Sequence, residues 1–403
     1  MGKHLNITNN LFWVGALDPN LRVFDIVMET EFGTSYNAYV LKGSEGIAVF
    51  ETVKEKFFDD YLDNLKTIVN PQEINYIVVN HTEPDHAGSV AKLLDVAPDA
   101  TVVGTLQAIK YMAEIMNKPF KSLVVKDGDT LSLGNKTVRF ILAPCLHWPD
   151  SMYSYIEEDC TLVTCDSFGA HYSDERVFKN QLEASKEDDY VKAYKYYFDM
   201  IMGPFKPFVL KALAKIENLE IEFICPGHGM ILDRSQIEKY MNFYKEWSQP
   251  VKRAVPSIVI PFASAYGYTE KLAYEIKKGI ESTNLTCDVL VYDLVTADFD
   301  EMLAEAGQCA GLLIGSPTIL ADTLPPIWKL LTSLNPVIHK GIQAGCFGSY
   351  GWSGEATKHI AERFHQLKFR MPLEPLNIQF NPSEDNLKAA FEFGVAFAEA
   401  VLK

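Results

Sequence analysis

His81-Thr82-Glu83-Pro84-Asp85-His86 packs two imidazoles and two carboxylates into six residues, and three later stretches add His147, Asp166 and His228. Four imidazoles and three carboxylates form a donor set for first-row transition metals, large enough to hold two ions side by side. Alternate residues of the hexapeptide point the same way if it is extended, so this one segment is predicted to feed both ions. Charge favours iron. Two ferrous ions carry four positive charges, which three carboxylates and one bridging hydroxide balance, so the reduced centre can be buried near neutrality. A lone His-x-Glu or Asp-His pair arises by chance in loops, whereas these seven donors each fall just past an apolar run.

Those runs, at 46–50, 74–79, 138–142, 160–164 and 221–225, read as strands ending in polar loops, and helical periodicity covers 205–219 and 235–247. Between Ser248 and Pro256 the periodicity lapses and two prolines interrupt it, which predicts a linker and domains of 1–250 and 251–403. A chain of 403 residues exceeds the size at which one core usually keeps growing. From Ser257 short apolar runs alternate with helical segments, at 258–262, 287–292, 311–315, 343–347 and 376–380, as in a five-stranded doubly wound parallel sheet.

A formal charge of −16 speaks against nucleic acid as a partner, because phosphate neutralisation needs clustered Lys and Arg. No apolar run approaches the roughly 18 residues of a membrane span, and the first ten residues lack the apolar core of a secretory signal. The expectation is a soluble cytoplasmic protein with no membrane partner. Seven scattered cysteines without a C-x-x-C pair fit a reducing compartment and carry no iron–sulfur module. Cys145, Cys165 and Cys225 each lie within three residues of a candidate ligand and read as packed apolar side chains.

In the second half, Ser264-Ala265-Tyr266-Gly267-Tyr268-Thr269 joins the first strand to a helix, with hydroxyls at both ends and a glycine between. Backbone N–H groups and the helix start can there face a phosphate. The absence of Gly-x-Gly-x-x-Gly favours a monophosphate such as that of FMN over a dinucleotide. Pro317-Thr318-Ile319-Leu320 and Ser349-Tyr350-Gly351-Trp352-Ser353-Gly354 follow the third and fourth runs, on the sheet edge where ligands bind. Tyr350 and Trp352 offer flat faces to an isoalloxazine ring.

The order and spacing of the ligands resemble the metallo-β-lactamase superfamily, whose usual hydrolytic members carry His where this chain has Glu83. That exchange is the mark of the flavodiiron proteins, or A-type flavoproteins, and the likeness continues through Leu146-His-Trp-Pro-Asp-Ser151, Pro226-Gly-His-Gly229 and the three flavin loops. The resemblance implies an α/β chain: an N-terminal metallo-β-lactamase-like αββα sandwich, then a flavodoxin-like doubly wound parallel sheet. It implies that His81, Glu83 and His147 bind one iron and Asp85, His86 and His228 the other, with Asp166 bridging, although in some relatives the counterpart of His86 turns away. His171 would lie near the open side of the metals as proton donor or supporting group, and Asp25 falls where some relatives have another His.

FMN can hold two electrons and the pair of irons two more. Together they can take dioxygen to water in one visit, and two electrons suffice to join two nitric oxide molecules into nitrous oxide. The implied activity is therefore reduction of dioxygen, nitric oxide or both, fed by rubredoxin, another flavoprotein or a deazaflavin coenzyme, in a head-to-tail homodimer or a dimer of dimers. Two rivals remain at this point. One is a metal-dependent hydrolase of the metallo-β-lactamase superfamily with a fused flavodoxin-like domain, and the other an electron carrier whose metal domain is only a scaffold.

Overall fold

The computed structural model describes residues 4–249, 254–336 and 339–403, and the chain divides into compact units of 1–250 and 251–403. Residues 250–253 of the expected linker lie outside the described part.

The first unit stacks two mixed sheets between helices. In the first sheet, period-two alternation sends Tyr39, Leu41, Ala48, Phe50 and Val78 to one core and Val40, Val49, Ile77 and Val79 to another. The first set meets Val138, Phe140, Met152, Val163 and Cys225 of the second sheet, forming the inter-sheet layer. The other faces are covered by Phe58–Lys66, Val90–Val96 and Leu106–Met116 on one side and by Glu187–Tyr197, Lys206–Ile216 and Arg234–Trp247 on the other. Strands buried on both faces read as unbroken apolar runs, which is why Ile47–Phe50, Tyr76–Val78, Thr137–Leu142, Thr161–Cys165 and Phe223–Pro226 stand out in the sequence. The strands between Leu5 and Tyr36 are only two or three residues long.

In the second unit five parallel strands lie in the order Asp288–Asp293, Ser257–Phe262, Gly311–Gly315, Gln343–Tyr350, Leu376–Gln379. Helices Tyr268–Glu281 and Glu384–Leu402 cover one face, and Phe299–Ala306, Pro325–Ser333 and Ala356–Gln366 the other. The fourth strand runs three residues beyond the predicted run, so Gly348, Ser349 and Tyr350 belong to it. No helix among the described residues is long and apolar enough to cross a membrane.

Candidate metal centre and flavin pocket

The hexapeptide departs from the predicted extended form. His81 to Glu83 continue outward from strand Tyr76–Val78, but Pro84–Ala87 is a helical turn. Proline at the first helical position is preorganised for such a turn and has no N–H to leave unsatisfied. The change of direction turns Asp85 and His86 away from His81 and Glu83, so two clusters arise from one segment.

In the first cluster Glu83 Oε2 lies 3.1 Å from His81 Nε2 and 2.9 Å from His147 Nε2, and Asp166 Oδ2 lies 3.5 and 3.1 Å from the same two nitrogens. In the second, Asp85 Oδ2 lies 3.0 Å from His228 Nε2 and 3.4 Å from His86 Nε2, and Asp166 Oδ1 lies 2.9 Å from His86 Nε2 and 3.5 Å from His228 Nε2. All seven residues are thus gathered, and Asp166 turns one oxygen to each cluster. Both could hold a metal ion.

Among the described residues neither oxygen of buried Asp85 has a hydrogen-bond partner, despite the short approach to His228. Donor atoms about 3.0–3.4 Å apart without hydrogen-bond geometry are the edges of a polyhedron around a cation with bonds of about 2.1 Å. The donor set therefore fits metal.

Neighbouring residues orient these ligands. Asp150, fully buried, accepts from Thr82 N–H at 2.9 Å and Thr82 Oγ1 at 2.8 Å, and its Oδ2 lies 3.8 Å from His81 Nδ1. His228 Nδ1 sits 2.6 Å from the Ser35 carbonyl. Asn37 clamps the loop of His228, donating through Nδ2 to the carbonyls of Pro226 (2.9 Å) and Gly229 (3.0 Å) and accepting from Trp13 Nε1 at 2.9 Å. Orienting partners of this kind hold a ligand's tautomer and angle. Sequence reasoning missed Asp150, Ser35 and Asn37; only Asp150 lay in a stretch already singled out.

Burial works against a charged imidazole, yet the nearby Asp150 carboxylate, the hydrogen bond with Glu83 and the Asp166 charge raise His81 to about 10. His147 is likewise raised against burial to about 10 by Asp166 and Glu83, and His86 to about 9 by the charges of Asp85 and Asp166. Burial favours the neutral form of Glu83, but hydrogen bonds from His147 and His81 hold it well below the usual carboxylate range.

Metal must displace these three protons. Loading metal-free protein at about pH 7 should release about three protons per chain, and progressively fewer as pH passes the raised values of about 9 to 10, measured with an indicator dye in weak buffer. By the same linkage the raised values stabilise the metal-free fold below about pH 6.5, and that contribution disappears as pH rises through about 9 to 10.

His171 is buried beside the second cluster, its ring centroid 5.2 Å from that of His228, with Nδ1 2.9 Å from Thr34 Oγ1 and Nε2 without a partner among the described residues. Burial, then repulsion by His228, pushes it well below its ordinary value, so it is a neutral imidazole. Phe24 packs 4.4 Å and Tyr197 4.8 Å from its ring. Asp25 follows Phe24 in a turn where Asp25 and Ile26 both have positive φ. Burial and the charges of Glu83 and Asp85 raise its carboxyl. The seven cysteines are free thiols; Cys165 and Cys225 are buried and Cys145 is half-buried.

In the second unit a cavity of about 320 Å³ opens at the carboxyl ends of the strands. Tyr266, Tyr268, Pro317, Thr318, Ile319, Leu320, Ser349, Tyr350, Gly351, Trp352 and Ser353 line it, together with Ala321 and Phe380, which sequence reasoning had not marked. Ser264, Ala265, Gly267, Thr269 and Gly354 do not line it. They shape the loops instead: Thr269 Oγ1 lies 2.9 Å from Ser349 Oγ, Ser264 Oγ accepts from Glu270 N–H at 3.3 Å, and Gly267, with φ of 78°, precedes helix Tyr268–Glu281. Two aromatic rings on a rim that is open to solvent and a helix start near hydroxyls suit a flavin mononucleotide.

Residues 34–229 match the ODP family beta lactamase model and residues 260–394 the flavodoxin model. The chain is 40% identical to the flavo-diiron protein FprA2 of Clostridium acetobutylicum over 98% of its own length and 99% of the relative's. It is 34% identical to a nitric oxide reductase of Moorella thermoacetica, covering the whole of both chains. Among solved structures, the rubredoxin oxygen:oxidoreductase of Desulfovibrio gigas superposes with a TM-score of 0.69 at 29% identity, covering 99% of this chain and 98% of that one. Two domain matches in this order, and full-length likeness at such identity, make the chain a member of the flavodiiron or type A flavoprotein family of oxidoreductases, whose cofactors are FMN and a non-haem diiron centre.

Proposed function

We propose that this chain reduces dioxygen to water, nitric oxide to nitrous oxide, or both, at a diiron site supplied with electrons by FMN. The observation carrying this reading is the carboxylate of Asp166, with Oδ2 among His81, Glu83 and His147 and Oδ1 among Asp85, His86 and His228. An Asp so placed would hold a metal of each cluster through a separate oxygen. When bound, the irons polarise the gas and the flavin supplies reducing electrons. Glu83 contributes a hard, charged oxygen where hydrolytic relatives of the fold have a nitrogen, and so favours iron over zinc. Phe24 and Tyr197 pack against the His171 ring and fix its place beside the second cluster. A neutral His171, anchored at Nδ1 by Thr34, can give up a proton there only by taking another in exchange. Tyr350 and Trp352 would flank the isoalloxazine, and the Ser264–Thr269 loop would face the phosphate.

Anaerobic stopped-flow of fully reduced protein against each gas tests the reading. The expected result is consumption of about four electrons per dioxygen, without peroxide, or about two per pair of nitric oxide molecules. Flavin that the donor reduces but that consumes no gas would show a mere electron carrier. Zinc in place of iron after anaerobic purification, with hydrolytic activity, would establish the hydrolase.

The family names found support rubredoxin as a donor, and another flavoprotein or a deazaflavin coenzyme meets the same chemistry. A head-to-tail homodimer, or a dimer of dimers, is proposed on two exposed apolar rims. Tyr266, Leu320 and Trp352 are 80–88% exposed at the flavin cavity, and Ile26 is 92% exposed on the turn next to Phe24. Sedimentation should give at least twice the chain mass, and a monomer with full turnover at the same dilution would overturn the dimer. Free thiols throughout fit a reducing cytoplasm.

A further inference from the structure

The chain just past strand Ile47–Phe50 grips His86 from behind. Thr52 donates to the His86 carbonyl through its backbone N–H at 2.8 Å and its hydroxyl at 2.5 Å. Glu51, one residue earlier, is buried and has φ of 62°, a left-handed conformation that costs an ordinary residue about 1 kcal/mol or more. Its Oε1 accepts the Asn80 N–H at 2.8 Å, while its Oε2 has no partner among the described residues. His86 has the complementary deficit: Nε2 faces Asp166 and Asp85, and among the described residues buried Nδ1 has no partner. A carboxylate oxygen of Glu51, a ring nitrogen of His86 and Cys165 Sγ lie within 4.8 Å of one another. Sulfur is the weaker acceptor of the two, which leaves the carboxyl oxygen as the partner for the imidazole. The ring has little room to swing elsewhere, since a Cβ on Gly227 would fall 2.6 Å from His86 Cε1 and 3.2 Å from Nδ1.

Resting on the two-metal reading of this site, we propose that Glu51 is a positioning residue that sets whether His86 ligates the second metal. Oε2 accepts the Nδ1 proton, so that Nε2 presents a bare lone pair toward the space shared with Asp85 and His228. A ring nitrogen that bears a proton cannot ligate, so the tautomer is the switch. Glu51→Gln inverts it at constant size. Asn80 N–H claims the amide oxygen, the NH2 group then faces Nδ1, and the imidazole must carry its proton on Nε2 instead.

The test uses the full FMN-bound chain with zinc as a diamagnetic probe. Glu51→Gln should weaken the second zinc about 10- to 100-fold and leave the first unchanged. His86→Ala should cause a similar loss, and the double variant no more than either alone. Nitrogen NMR of the zinc-loaded wild-type protein should find His86 protonated at Nδ1 and metal-shifted at Nε2. Unchanged second-zinc affinity in Glu51→Gln, additive losses in the double variant, or a bare Nδ1 in the wild-type spectrum would each overturn the proposal while two zincs remain bound. A wild-type chain that takes up a single zinc overturns the two-metal reading and the proposal together. If Glu51→Gln does not fold, the wild-type spectrum decides.

Discussion

Asp166→Ala is expected to abolish gas reduction and strip both metal positions while FMN stays bound. The side chain is buried, and it is the one carboxylate whose two oxygens serve different clusters, Oδ1 at 2.9 Å from His86 Nε2 and Oδ2 at 3.1 Å from His147 Nε2. Alanine leaves each cluster a single carboxylate, and two dications about 3.5–4 Å apart lose the anion between them. Changes to groups that merely orient a ligand cost about 10- to 100-fold in affinity or activity, so loss of the shared ligand should exceed about 100-fold. The flavin cavity belongs to residues of the other compact unit, so the flavin spectrum should be unchanged. Iron analysis, visible spectra and gas uptake check all three points. Turnover within about tenfold of wild type would show that Asp166 is not the bridge.

The opposite separation is expected from Gly348→Ala: the flavin is lost and the metal remains. A Cβ at Gly348 would lie 2.1 Å from the Ser316 carbonyl oxygen and 3.2 Å from its carbon. That obstacle is backbone, held by the hydrogen bond of Ser316 N–H to the Phe347 carbonyl at 3.1 Å, so no rotamer change relieves it. The strand ends bearing Pro317–Leu320 and Ser349–Ser353 must then part, and both line the flavin cavity. Overpacking of this kind costs about 1–3 kcal/mol, and backbone is the least yielding neighbour. FMN affinity should fall at least tenfold, about 1.4 kcal/mol, with a lowered melting transition for residues 251–403. Quenching of flavin fluorescence on titration measures the first, and calorimetry the second. Iron content should match wild type, and a variant that binds FMN as tightly as the parent would show that the two loops can move independently.

Much of this molecule could be read from residues alone because metal and phosphate chemistry admit few side chains. His81, Glu83, Asp85, His147, Asp166 and His228 are donors at the ends of apolar runs, and nothing in packing requires them there. The doubly wound sheet was equally legible, since parallel strands buried on both faces are continuous apolar runs between helical periods. The strands up to Tyr36 were not, because two or three residues carry no period, and their pairing is settled by partners further along the chain, Leu41 opposite Leu11 and Tyr36 opposite Ala16.

Residue identity also left open which way each ligand points. A hexapeptide that reads as extended turns helical at Pro84, and that turn divides its donors between two clusters. The groups that orient the ligands, Asp150 toward His81, Ser35 and Asn37 toward the loop of His228, lie 69, 193 and 191 positions away from the ligand they serve. Asp, Ser and Asn are ordinary loop residues, so composition does not mark them. Donor chemistry is a property of side chains and travels with the chain, whereas tautomer, bridging angle and orphaned lone pairs exist only after long-range folding has brought separate strand ends within about 3 Å of each other.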